Sequence, residues 1–135
     1  MSRRRGRAVP LVTAMAALAI AGIVIQAYLA GLAIFGAAFG LAMHRMLGGL
    51  VAIPILGLLS ATLHPSGGTG WRGPARLLGV LYFVQLGLVA AGTAAGVSWI
   101  AALHPANALA MLLVAVEILR RNAALPSARA TDTRN

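Results

Sequence analysis

The stretch "AVPLVTAMAALAIAGIVIQAYLAGLAIFGAAFGLAM" (8–43) carries no charged side chain. A membrane span takes about 20 apolar residues. The run is therefore one long helix, a turn and the start of a second helix. The rest of the chain repeats the pattern. Of 135 residues, 60% are hydrophobic and 10% are charged, against roughly a quarter charged in a soluble domain. That leaves too little charge to cover a water-facing surface, and the charges gather at the ends and in one loop. The composition predicts an all-α, polytopic membrane four-helix bundle.

Helices are expected over 9–33, 41–63, 75–95 and 99–119. They follow a basic segment (1–8) and precede a polar tail (120–135). "IFGAAFG" (34–40) reads as a tight turn and "HPSGGTGWRGP" (64–74) as a loop. "AGVS" (95–98) is a second short turn, with Ser98 as N-cap. Pro54 and Pro105 lie inside spans and should kink them. The basic, then apolar N-terminus has the order of a signal peptide. Its apolar body is too long for one, so the first helix is expected to stay as a span.

Orientation follows from arginine. Arg3, Arg4, Arg5 and Arg7 precede the first helix, and Arg72 and Arg76 flank the long loop. Arg120, Arg121, Arg129 and Arg134 follow the last helix, and Arg45 alone lies on the other side. The positive-inside rule then puts both termini in the cytoplasm. All eleven basic residues are arginine, a usage that suggests a GC-rich bacterial genome and hence the bacterial inner membrane. The net charge of +9 belongs to the flanks of spans, so no nucleic-acid partner is expected. The chain has no cysteine. Disulfides, thiolate catalysis and iron–sulfur clusters are excluded.

Two histidines stand out. His44 lies near the start of the second helix and His104 near the start of the fourth. Both helices run in the same direction, so the imidazoles fall at similar depth near the outer surface, below Trp99 as an interface anchor. His64 falls at the opposite end of the second helix, by the loop. A parallel repeat underlies the pairing. "QAYLAGLAIFGAAFGLAMHR" (26–45) resembles "QLGLVAAGTAAGVSWIAALHP" (85–105), with Gln-to-His spacings of 18 and 19 residues. Gln26 and Gln85 are expected to bond between helices or to meet a quinone-like partner. Four residues after the histidines come Gly48 and Ala108, on the same helix faces. Both are small enough to leave room for a flat ring, and ordinary small-residue packing explains them equally.

Two imidazoles with no thiolate or carboxylate beside them cannot fill a typical zinc site. They are what a porphyrin iron lacks. The sequence thus suggests a heme held by His44 and His104, with Arg45 pairing a propionate or snorkelling to lipid phosphate. Glu117 should pair with Arg120 or Arg121 at helical spacing.

Residues 26–119 resemble one four-helix half of the heme A synthase family. The carrying segments are "MHRMLGG" (43–49), "VQLGLVAAGTAAG" (84–96) and "ALHPANALAMLL" (102–113). The chain is also similar to small four-helix bacterial membrane proteins of this layout. The resemblance implies a bis-His heme b site. It does not carry over the synthase oxidation, because the Glu expected three residues before the first histidine is Leu41 here. An enzyme is therefore not expected. The main reading is a small b-type heme protein in electron transfer or heme handling, with a redox partner or quinone and a homo-oligomer both compatible with it. The competing reading is a cofactor-free accessory or structural membrane protein on the same scaffold. A transporter suits four spans with one acidic residue poorly.

Overall fold

The structure is a computed structural model that describes residues 3–63 and 70–124, with side chains from residue 10 onward. All regular structure among them is helical: α1 (Arg3–Ile34), α2 (Gly40–Leu50), α3 (Ala52–Ala61), α4 (Arg72–Ala94) and α5 (Ser98–Ala123). They form four spans, Pro10–Ile34, Gly40–Ala61, Arg72–Ala94 and Ser98–Ala123, of 22 to 26 residues. At about 1.5 Å per residue each exceeds the roughly 30 Å of a bilayer's hydrocarbon core. The chain has the build of a multi-pass membrane protein.

The second span is interrupted at Val51. Pro54, three residues on, has no N–H for the Leu50 carbonyl, and its ring crowds that oxygen. No such break occurs at Pro105, where α5 runs on without interruption. Losing one bond, to the carbonyl of Ala101, does not end the helix. Val97, not Ser98, takes the N-cap position of α5 and makes no side-chain cap. α5 also continues four residues into the expected tail. Asn122 is buried there and donates to Thr13 Oγ1 at 2.9 Å. Arg120 and Arg121 pair with Glu117 at 3.2 and 2.6 Å, which places cations at the helix's negative end. His64, Arg129, Arg134 and residues 125–135 generally lie outside the described residues.

The spans run up, down, up, down, so the start of α1 and the end of α5 lie at one end of the bundle. The turns at 35–39 and 95–97 lie at the other. Round the bundle, α1 touches α2, α3 and α5, and α4 touches α3 and α5. Each span turns one stripe inward, at alternating steps of four and three. On α1 it is Val12, Ala16, Ala19 and Ile23. On the second span and its C-cap it is Val51, Ile55, Leu58 and Thr62. α4 with its N-cap contributes Trp71, Ala75, Leu78 and Tyr82, and α5 contributes Met111, Ala115, Ile118 and Asn122. This is the near-3.5-residue period of interlocking bundles. The alanines are fully buried and let the backbones approach, which matters in lipid, where packing rather than water exclusion holds helices together. Leu11, Leu18, Ile53, Phe83 and Leu113 point outward and exposed, as a lipid-facing surface requires.

Candidate functional site

The buried stripes occupy the half of the bundle nearest the termini. Followed towards the turns, the same rhythm changes chemistry. After Ile23 comes Gln26, then Ala30. After Tyr82 comes Gln85. Before Val51 come Gly48 and His44, and before Met111 come Ala108 and His104. Interior positions that hold Leu or Ile at one end hold amide, imidazole or small residues at the other.

The turns fix the depth of the histidines. Both α1 and α4 end on a glycine in the left-handed region, Gly36 at φ 90° and Gly96 at φ 64°. Past each, an N–H reaches back to the last turn: Ala37 to Leu32 O at 2.9 Å and Val97 to Gly92 O at 3.1 Å. This is the hydrogen bond of the Schellman motif, which glycine serves because it has no Cβ to clash. His44 and His104 each come eight residues after their glycine. Near the turns each hairpin is tight: a Cβ on Gly40 would meet Ala33 N at 2.6 Å, and one on Gly92 would meet Ala101 N at 2.9 Å. Yet α2 makes no close backbone approach to α4 or α5.

A cavity of about 350 Å³ fills that gap. His44 and His104 face each other across it with ring centres 6.0 Å apart and planes inclined at 62°. Ala27, Ala30, Gly48 and Ala108 form low parts of its wall. Val24, Leu86 and Leu109, about half exposed, make its rim on the lipid-facing side. Four of the five expected site residues thus belong to the cavity region. Arg45 does not. It follows His44 by about 100° of helix rotation, is exposed, and is not part of the lining.

Each histidine is paired with the glutamine of the preceding span, but in different ways. Gln26 Nε2 donates to the backbone carbonyl of His44 at 2.7 Å. His44 Nδ1 lies 3.0 Å from the Gln26 carbonyl oxygen. A carbonyl can only accept, so Nδ1 carries the proton and Nε2 keeps its lone pair. On the other side Gln85 Nε2 lies 3.2 Å from His104 Nε2. An amide nitrogen donates, so here Nε2 is the acceptor and Nδ1 bears the proton. Asn107 orients the amide by donating to Gln85 Oε1 at 2.6 Å and to the Leu81 carbonyl at 2.9 Å. Gln26 Oε1 is buried without a partner.

Tyr82 and Asn107 belong to the site and were not read as such from the sequence. Tyr82 lines the cavity and donates to the Gly48 carbonyl at 3.2 Å. Its signal was its place on the α4 stripe, one step before Gln85. The signal for Asn107 was its place one helical turn after His104. Gly48 has a second reason to be glycine: a Cβ there would stand 2.9 Å from Gln26 Nε2.

The donor set can be tested against a heme. Two metal–imidazole bonds of about 2 Å, plus about 1 Å from each nitrogen to its ring centre, separate two axial imidazoles by about 6 Å. The His44–His104 spacing matches. His44 also has what a metal-ligating histidine usually has, its other ring N–H given to a carbonyl. On ring spacing, His44 and His104 would hold an iron porphyrin only once the Gln85 amide leaves His104 Nε2.

Residues 26–94 match the model of a family of unknown function, DUF6220. That is just over half of the chain. The chain belongs to this family. The matched segment starts at Gln26 and takes in His44, Tyr82 and Gln85, but stops short of His104. No curated protein and no solved structure matches the chain.

Proposed function

We propose that the chain is a small membrane protein holding heme b between His44 and His104, in electron transfer or heme handling. The observation that carries this is the 6.0 Å separation of the imidazoles across a gap between helices whose backbones stay apart. The resemblance of residues 26–119 to a heme A synthase half supports it. Heme bound there supplies one-electron redox chemistry. The chain's own part is to fix the proton of His44 on Nδ1 through the Gln26 carbonyl, to keep the surroundings apolar, and to leave a rim on the lipid side. In this reading the arginine-rich termini face the cytoplasm of a bacterial inner membrane, the site sits near the opposite surface, and the electron partner is a membrane quinone or a redox protein. Arg45 lies at headgroup level and meets lipid phosphate more readily than a propionate.

The competing reading is a cofactor-free accessory protein. What favours it is that both histidines already make hydrogen bonds within the bundle. Visible spectra of the purified protein in detergent, oxidised and dithionite-reduced, decide between them after expression with ample heme. Low-spin heme with a sharp reduced α band is expected, and it should be lost in both His44→Ala and His104→Ala. A featureless wild-type spectrum would leave the histidines as packing residues.

A further inference from the structure

The two imidazoles differ in readiness. His44 Nε2 is an open lone pair, because the proton sits on Nδ1 and is donated to the Gln26 carbonyl. The equivalent lone pair of His104 is taken by the Gln85 amide. That amide is not loosely placed. Asn107 grips its oxygen at 2.6 Å and is itself held by the Leu81 carbonyl. The chain Leu81–Asn107–Gln85–His104 therefore ends on the nitrogen that must bind metal. An arrangement that occupies this nitrogen is a workable resting state for a site that is filled later.

We propose that Gln85 is a displaceable cap on His104, a positioning residue that Asn107 holds in its blocking orientation. The inference rests on the heme reading. It makes the two sides of the site unequal: His44 is preset, and His104 becomes available only when the amide turns away. Removing the cap should then tighten binding, whereas a residue that merely supported the fold would weaken it when lost.

The test uses three full-length proteins in detergent: wild type, Gln85→Leu and Gln85→Glu. Leu removes the donor. Glu either donates its own proton to Nε2 or hands it over, so the nitrogen stays blocked. Interhelical hydrogen bonds in membranes are worth about 0.6–1.7 kcal/mol, so hemin titration should show Gln85→Leu binding about three- to eighteenfold more tightly than wild type. Gln85→Glu should bind more weakly than wild type. Asn107→Ala, which frees the amide, should move in the same direction as Gln85→Leu and guards against a folding defect in one variant. Nitrogen-15 spectra of the histidines in heme-free protein give a readout independent of heme. The His104 Nε2 signal should move on Gln85→Leu, while the His44 signals stay in place. Equal or weaker hemin binding by Gln85→Leu, with the wild type binding heme, overturns the cap alone. An unmoved His104 Nε2 signal overturns it too. Absence of heme from wild type and every variant overturns the heme reading, and the cap with it.

Discussion

The two ends of this bundle follow one rhythm with two chemistries. Near the termini, steps of four and three bring Val12, Ala16, Ile55, Leu58, Leu78, Ala115 and Ile118 together with almost no exposure. Near the turns the same steps bring Gln26, Gly48, His44, Gln85, Ala108 and His104 around a cavity of about 350 Å³. One end is filled and holds the helices in register. The other is held open by tight hairpins that stand apart. The comparison shows how a chain with few polar groups can make a site: it keeps the packing period and changes the residues placed on it.

The sharpest way to break the comparison is to cut the filled end. Leu58→Ala or Ile118→Ala removes a fully buried side chain. In soluble cores such changes cost about 2–5 kcal/mol. In a bilayer much of the transfer term vanishes and the packing loss remains, so about 1–3 kcal/mol is expected. Leu109→Ala, at the exposed rim of the cavity, should change stability by less than about 0.5 kcal/mol. Unfolding by increasing SDS in mixed micelles measures both. Equal losses at the two ends would mean that the turn end is packed as tightly as the other.

The hairpins give the next largest effect. A Cβ on Gly92 would stand 2.8 Å from the Ala101 Cβ and 2.9 Å from its backbone nitrogen. Backbone cannot give way like a flexible side chain, so Gly92→Ala should cost about 1–3 kcal/mol. Gly87→Ala, five residues earlier in the same helix with nothing near its Cβ, should be neutral or slightly stabilising. If both are neutral, the close approach of α4 and α5 is not what holds the second hairpin shut.

Much of this was legible in the sequence, and what was not has physical causes. The four spans followed from charge-free runs. The meeting of His44 and His104 followed from helix direction and distance from the turns. The repeat placed a glutamine and a histidine in each half, but not their pairing with each other. The chemistry within those pairs did not follow either, because it depends on which atom each amide turns towards, a tertiary matter. Gln26 meets a backbone carbonyl and Gln85 meets a ring nitrogen, although the spacings differ by one residue. Pro54 and Pro105 were both expected to kink otherwise continuous helices; the second span breaks at Val51 while α5 passes Pro105 uninterrupted, and nothing in the sequence separates the two. Asn122 read as part of a polar tail. Only its stripe position, four residues beyond Ile118, pointed inward.

Asn122→Ala sharpens the comparison at the filled end, where polar groups are rare. It removes the 2.9 Å bond to Thr13 Oγ1, one tie between the first and last spans. A loss of about 0.5–1.5 kcal/mol is expected in the same SDS assay, with no change in the visible spectrum of any bound heme. A spectral change would mean that the two ends are coupled through α5 and are not independent.

The smallest effect belongs to the border between the two ends. Tyr82 is the last residue of the α4 stripe before Gln85. Its ring is buried with the core, while its hydroxyl reaches across to the Gly48 carbonyl at 3.2 Å. Tyr82→Phe keeps the ring and loses only the hydroxyl. The helical donor to the Gly48 carbonyl would be the Ala52 N–H, which lies beyond the break at Val51, so the hydroxyl is a donor this carbonyl loses. The cost should be that of an average membrane hydrogen bond, about 0.6 kcal/mol. The readout that matters is at the cavity. The hydroxyl ties α4 across to α2 at this level, and α2 makes no close backbone approach to α4. If it sets the width of the gap, the His44 ring signals in heme-free protein should shift in Tyr82→Phe while stability barely moves. If stability falls by more than about 1 kcal/mol and the His44 signals stay in place, Tyr82 belongs to the filled end alone, and the tight hairpins suffice to hold the gap.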